Sequence, residues 1–167
     1  MEGSEYLLTC AEIGVALAGF AALVIVVRQR AAEELSPNDR MLVASLIERG
    51  LMAALFSFIP LLLSGLGLSA GVVWFWASGT IAIYMLSLAW RSAANRRRDP
   101  QASALVARPL FVSLTIIGLS MAGLQLAHSV GVGIQQSVWW YLLALTWLLT
   151  AAGYIFVFVV RGWVRSA

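Results

Sequence analysis

Long apolar stretches separated by short polar ones make up nearly the whole chain, at residues 6–27, 41–66, 72–90, 109–127 and 137–160. Each is close to or longer than the roughly 20 apolar residues that carry a helix across a ~30 Å hydrocarbon core. The pattern predicts an all-α polytopic membrane protein, a bundle of five transmembrane helices forming one domain over residues 1–167. Inverted repeats mark many transporters, but five spans do not divide into halves.

The polar connections set the expected orientation. Arg28, Arg30 and Arg40 lie between spans one and two. Arg91, Arg96, Arg97, Arg98 and Arg108 lie between spans three and four, and Arg161 and Arg165 follow span five. The N-terminal segment and the connections 65–71 and 129–136 contain no arginine. Arginine-rich connections stay in the cytoplasm, so the pattern predicts the N-terminus outside and the C-terminus inside. Trp74, Trp76, Trp139, Trp140 and Tyr141 then fall at the outer interface, and Trp90 and Trp163 at the inner one, where amphipathic rings concentrate.

Local signals refine the helices. Ser36-Pro37-Asn38-Asp39 offers an N-cap, a proline at the first helical position and an acid in the first turn. Pro60 falls inside span two, where it removes a backbone donor and is expected to bend the helix. Residues 91–108 have no apolar periodicity and are expected to form a mobile loop.

Composition narrows the class further. The chain is 61% hydrophobic and 11% charged, against ~25% charged in soluble domains, the composition of a polytopic membrane protein; at 167 residues no soluble domain is expected beside the spans. The formal charge of +3 comes from eleven arginines and no lysine. Arg96, Arg97 and Arg98 are expected to touch anionic lipid headgroups. No aromatic accompanies them for base stacking, so no nucleic acid is expected. Cys10 is the only cysteine, which excludes an internal disulfide or a cysteine metal cluster. The nine residues before it, two of them Glu, lack the basic start and apolar core of a lipoprotein signal, so lipidation of Cys10 is not expected.

Candidate chemistry rests on polar residues inside the spans. Glu48 and Arg49 lie ~12–14 Å above Arg40 by helical rise, and Tyr84, Thr150 and Tyr154 fall near the same inner level. Adjacent residues point ~100° apart, so Glu48 and Arg49 need separate partners. Tyr84 and Tyr154 are candidate donors to Glu48, and Arg49 is a candidate to snorkel toward phosphates. A Glu12–Arg49 pair is the sharper alternative, opposed by an expected axial gap of ~10 Å. Glu12, Gln125 and His128 form a candidate outer polar cluster, although a single interfacial histidine is ordinarily just hydrogen-bonded. Small residues at Ala11, Gly14, Ala18, Ala21 and Ala22, at Gly50, Ala54 and Ser57, and at Gly118 and Ala122 suit close helix contact. That contact is expected within the chain, with a seam between copies as the alternative.

Ser129-Val130-Gly131-Val132-Gly133 resembles a potassium-channel filter only faintly, because a full span precedes it where a filter needs a short re-entrant helix. An ordinary glycine-rich turn is expected. Neither a zinc-protease helix nor a phosphate-cradling loop is present, and the two aspartates, Asp39 and Asp99, lie outside the spans. The chain is therefore expected to be no enzyme, with no catalytic residue, cofactor or metal.

Ala11-Glu12-Ile13-Gly14-Val15-Ala16-Leu17-Ala18-Gly19-Phe20, Asn38-Asp39-Arg40 and the apolar run ending at Pro60 resemble a group of small bacterial inner-membrane proteins. The resemblance covers about residues 5–63. It implies a bacterial cytoplasmic-membrane location and no substrate.

Embedded charges in so short a chain point first to a homo-oligomer that forms or gates an ion-permeable path. The alternative is a non-catalytic accessory or scaffold subunit of a larger membrane complex, with Glu48 and Arg49 at the shared interface. A third expectation is a sensor whose basic cytoplasmic segment meets lipid or a cytosolic protein.

Overall fold

A computed structural model describes residues 3–30, 37–98, 108–133 and 135–166. These form five α-helices and no strand: α1 (Ser4–Arg30), α2 (Pro37–Gly65), α3 (Ala70–Arg98), α4 (Arg108–Val130) and α5 (Val138–Ser166). The expected fold class holds. Each helix contains a segment long and apolar enough to cross a membrane: Ser4–Val27, Arg40–Gly65, Ala70–Ala94, Val112–Val130 and Val138–Val160. The chain is an all-α, multi-pass membrane protein.

The helices outrun their apolar segments. Twenty-nine residues in α2, α3 and α5 span ~44 Å, well beyond the ~30 Å hydrocarbon core. One expectation is corrected here: residues 91–98, expected as loop, continue α3 to Arg98. Arginine and alanine are good helix formers even without an apolar stripe, and arginines at a helix C-terminus oppose the partial negative charge there. Pro100 disfavours helix at the residue before it; Asp99 and Pro100 lie outside the described residues. At the start of α2, Pro37 takes the first helical position as expected, while its expected cap, Ser36, lies outside the described residues. The helix then runs unbroken through Pro60.

Helix ends fall into two kinds. The last turns of α1, α3 and α5 carry arginines. By contrast, α2 and α4 close on glycines in the left-handed region, Gly67 (φ 75°) and Gly131 (φ 68°). Beyond α2, the Leu68 N–H donates to the Leu63 carbonyl (3.4 Å) and the Gly67 N–H to Ser64 (3.0 Å). The same pair recurs beyond α4, from Val132 to Ala127 (3.2 Å) and from Gly131 to His128 (3.3 Å). Both are Schellman caps, which satisfy carbonyls that a helix end would otherwise leave orphaned.

The chain divides into two compact units. One consists of Gly3–Phe58 and Leu145–Ala167, so it holds α1, most of α2 and the later part of α5. Its core is Ala21, Val24, Val43, Leu46, Ala152 and Val159, with the Phe20 and Phe156 rings 5.9 Å apart beside it. The other unit, Ile59–Ala144, holds the end of α2, all of α3 and α4, and the start of α5. There α3 packs along α4, burying Ala77, Ile81, Ala82 and Ala122.

Candidate functional site

In the first unit the decisive contact is between glycine backbones. A methyl group built on Gly14 would sit 2.5 Å from the Gly50 carbonyl oxygen, and one built on Gly50 would sit 2.5 Å from the Gly14 oxygen. Ala54 and Ala18 lie one turn on, their backbone nitrogens 3.2 Å from those same positions. The two Gly-x-x-x-Ala sequences therefore let α1 and α2 touch main chain to main chain, the close approach by which membrane helices gain packing energy where lipid is as apolar as leucine. Of the small residues expected on α1, Ala11, Gly14, Ala18 and Ala21 are buried; Ala22 is exposed.

That crossing corrects the expected register. With Gly14 level with Gly50, Glu12 and Arg49 lie only ~4–5 Å apart along the helix axes, not ~10 Å. Even so, the Glu12–Arg49 pair does not form. Glu12 is exposed and makes no hydrogen bond or ion pair among the described residues. Proximity in height does not help when one side chain points away from the partner helix.

Glu48 and Arg49 flank the buried stripe Val43, Leu46, Gly50 and Ala53 and are half-buried. The Arg49 Nε is closed to solvent, and both residues are engaged by other groups. Of the residues expected at their level, Tyr154 is half-buried with its ring 5.0 Å from Phe158. The Thr150 hydroxyl donates to the Thr146 carbonyl of its own helix (2.8 Å). Tyr84 is buried and engaged, in the other unit. Arg97 is exposed on the last turn of α3, which also carries Arg96 and Arg98.

The second unit gathers side chains instead. His128, fully buried on the last turn of α4, has its Nδ1 2.7 Å from the Ser78 hydroxyl of α3. Its Nε2 accepts the Ser137 N–H at 2.9 Å. A main-chain N–H can only donate, so Nε2 carries no proton, and the neutral ring places its hydrogen on Nδ1, facing Ser78. A second proton on Nε2 would set two donors against each other. Trp74 lies against this imidazole (5.5 Å) and against Tyr141 (5.8 Å).

The turn between α4 and α5 is tied to the same histidine. The Gln136 Nε2 donates to the carbonyls of His128 (3.3 Å) and Ser129 (3.2 Å). Ser137 is the N-cap of α5, its hydroxyl oxygen accepting from the Trp139 N–H at 3.2 Å. Gln125, one turn before His128 and equally buried, donates from Nε2 to the Trp140 carbonyl (2.7 Å), while its Oε1 is buried without a partner. Gln125 and His128, one turn apart on α4, thus form a buried polar layer with their partners on α3 and at the start of α5. Glu12, expected with them, belongs to the other unit and is exposed.

An open cleft of about 420 Å³ borders this layer, lined by the end of α2 and the starts of α3 and α5. Sequence reasoning passed over Ser78, Gln136 and Ser137. Ser137 before Val138-Trp139-Trp140 is a legible cap, but nothing local links Ser78 to a histidine fifty residues away. Gly131 and Gly133 both adopt positive φ in the turn, and the Gly131 and Val132 N–H groups cap α4. The ordinary turn is thus what forms. Among the described residues no group of His, Cys, Asp and Glu could hold a metal ion.

No protein-family model, curated protein or solved structure matches this chain. Its function must be read from these sites.

Proposed function

We propose that the chain acts as an assembly of several copies in a bacterial cytoplasmic membrane, where the Glu12 face of α1 lines an ion-permeable path between copies. The observation that carries this reading is the stripe Glu5, Thr9, Glu12, Ala16 and Gly19. These residues recur every three or four positions, the spacing of one helix face, and all are exposed. A methyl group on Gly19 would meet nothing within 4 Å.

Glu12 stands ~12 Å along α1 from Ser4 and ~22 Å from Val27, too deep for a short side chain to reach headgroups. An ionised residue near the centre of a span costs ~2.5–3.5 kcal/mol against lipid on insertion scales. Water or a neighbouring subunit removes that cost. The arginine distribution supports an orientation with the N-terminus outside and with Arg96, Arg97 and Arg98 on the cytoplasmic side, where they would meet anionic headgroups. The one serine–histidine pair at these sites, Ser78 and His128, has the ring proton on Nδ1 facing the hydroxyl, so the ring is not poised as a base toward it, which favours a non-catalytic role.

Cation flux into liposomes holding the purified oligomer tests the proposal. The expected result is flux that falls at least tenfold in Glu12→Leu. A confirmed oligomer without flux overturns the ion path. A protein that does not self-associate but retains a stoichiometric partner, lost in Glu12→Leu, makes the chain an accessory subunit instead.

A further inference from the structure

The cleft beside His128 has a lining that specifies its occupant. Its volume of about 420 Å³ falls in the range of small-molecule sites, ~300–1,000 Å³. Leu68, Val73, Trp74, Val138 and Trp139 supply apolar and aromatic wall, and Ser64, Gln135, Gln136 and Ser137 supply the polar groups. None of the lining residues is charged. A charged ligand would lose hydration there with no opposite charge to replace it, so the lining selects an uncharged molecule.

Hydrogen-bond bookkeeping narrows the head group. The Gln136 amide nitrogen is already used on two carbonyls, which leaves its Oε1 to accept. The Ser137 oxygen accepts from the Trp139 N–H, which leaves its own proton to donate. One acceptor and one donor from neighbouring residues match a hydroxyl, which both gives and takes. We propose that the cleft binds an uncharged amphiphile, a hydroxyl group on an apolar chain or ring, and that His128 is the positioning residue for its polar wall.

His128 does not line the cleft; it acts through the residues that do. Its ring nitrogen holds the Ser137 N–H, and its carbonyl oxygen holds the Gln136 amide. Both head-group contacts are therefore anchored on one buried residue. The cleft opens where candidate spans end, at Gly65, and begin, at Ala70 and Val138, so a ligand can arrive from solution or from the bilayer. Nothing in this inference depends on the role given to Glu12.

Photolabelling tests it with a diazirine-bearing octanol, on the full chain in nanodiscs of zwitterionic phosphatidylcholine. Adducts are expected in residues 64–74 and 135–139, reduced at least fivefold by excess octanol and unaffected by octanoate or octylammonium. Competition by a monoacylglycerol incorporated in the bilayer identifies a lipid source; competition by aqueous octanol alone identifies a soluble one. Gln136→Leu should lower labelling at least fivefold. His128→Leu should do the same, whereas His128→Gln, whose amide oxygen can accept the Ser137 N–H, should keep half or more. Should His128→Leu not fold, Gln136→Leu and the competitor series still decide. Adducts spread over the lipid-facing surface, or competition by octanoate equal to that by octanol, would overturn the proposal, as would unchanged labelling in Gln136→Leu.

Discussion

The two units of this protein hold their helices by opposite means. Where α1 crosses α2, side chains have been removed and backbones touch across Gly14 and Gly50. Where α3, α4 and the start of α5 meet, side chains have been added: His128, Gln125, Ser78, Trp74 and Tyr141 fill the interior with rings and hydrogen bonds. Both answer the same problem, since apolar burial gives little advantage between helices already in lipid. Close approach multiplies weak dispersion contacts and tolerates no added atom. A polar layer gains more per contact from far fewer contacts, and demands that each partner be present.

This contrast ranks the expected effects of substitution. Gly14→Ala and Gly50→Ala should be the most damaging. Each places a carbon against a backbone oxygen that cannot swing aside, for a loss of about 3 kcal/mol, read as reduced stability in a detergent-unfolding titration. Tolerance of both would mean that the helices separate freely, and the contrast would fail. His128→Leu comes next. It leaves the Ser137 N–H and the Ser78 hydroxyl without their partner, for about 1–3 kcal/mol, and hydrogen exchange should quicken over residues 131–139.

Smaller effects sharpen the comparison. Gln125→Leu loses the bond to the Trp140 carbonyl but also removes the buried, unpartnered Oε1. The net change should be no more than about 0.6 kcal/mol, the average for a side-chain hydrogen bond between membrane helices. Smallest of all is Gly19→Ala, on the same helix as Gly14 but facing open space, expected within about 0.5 kcal/mol of the parent. A Gly19 effect as large as that of Gly14 would show that loss of glycine flexibility, not contact, governs α1.

Much of the fold was legible because helical spans in lipid are a local property. Apolar length, the arginine runs and Pro37 place five helices near their observed bounds. The misread segment, 91–98, lacks an apolar stripe, and periodicity is blind to helix that continues past the membrane on propensity alone. The candidate sites were legible only in kind. Glu12, Glu48, Arg49, Gln125 and His128 stand out by rarity in apolar sequence, yet rarity does not say which way a side chain points.

By itself, then, the amino-acid order determined the number of helices, the apolar segments and the small-residue faces, since hydrogen bonds within one helix and the bilayer's thickness need no information from elsewhere in the chain. Tertiary structure alone decided that Gly14 meets Gly50, that Glu12 is left uncovered and that His128 takes Ser78 and Ser137 as partners. Those outcomes depend on how one helix slides and turns against another, and a shift of ~1.5 Å with ~100° of rotation, a single residue's step, would exchange every partner.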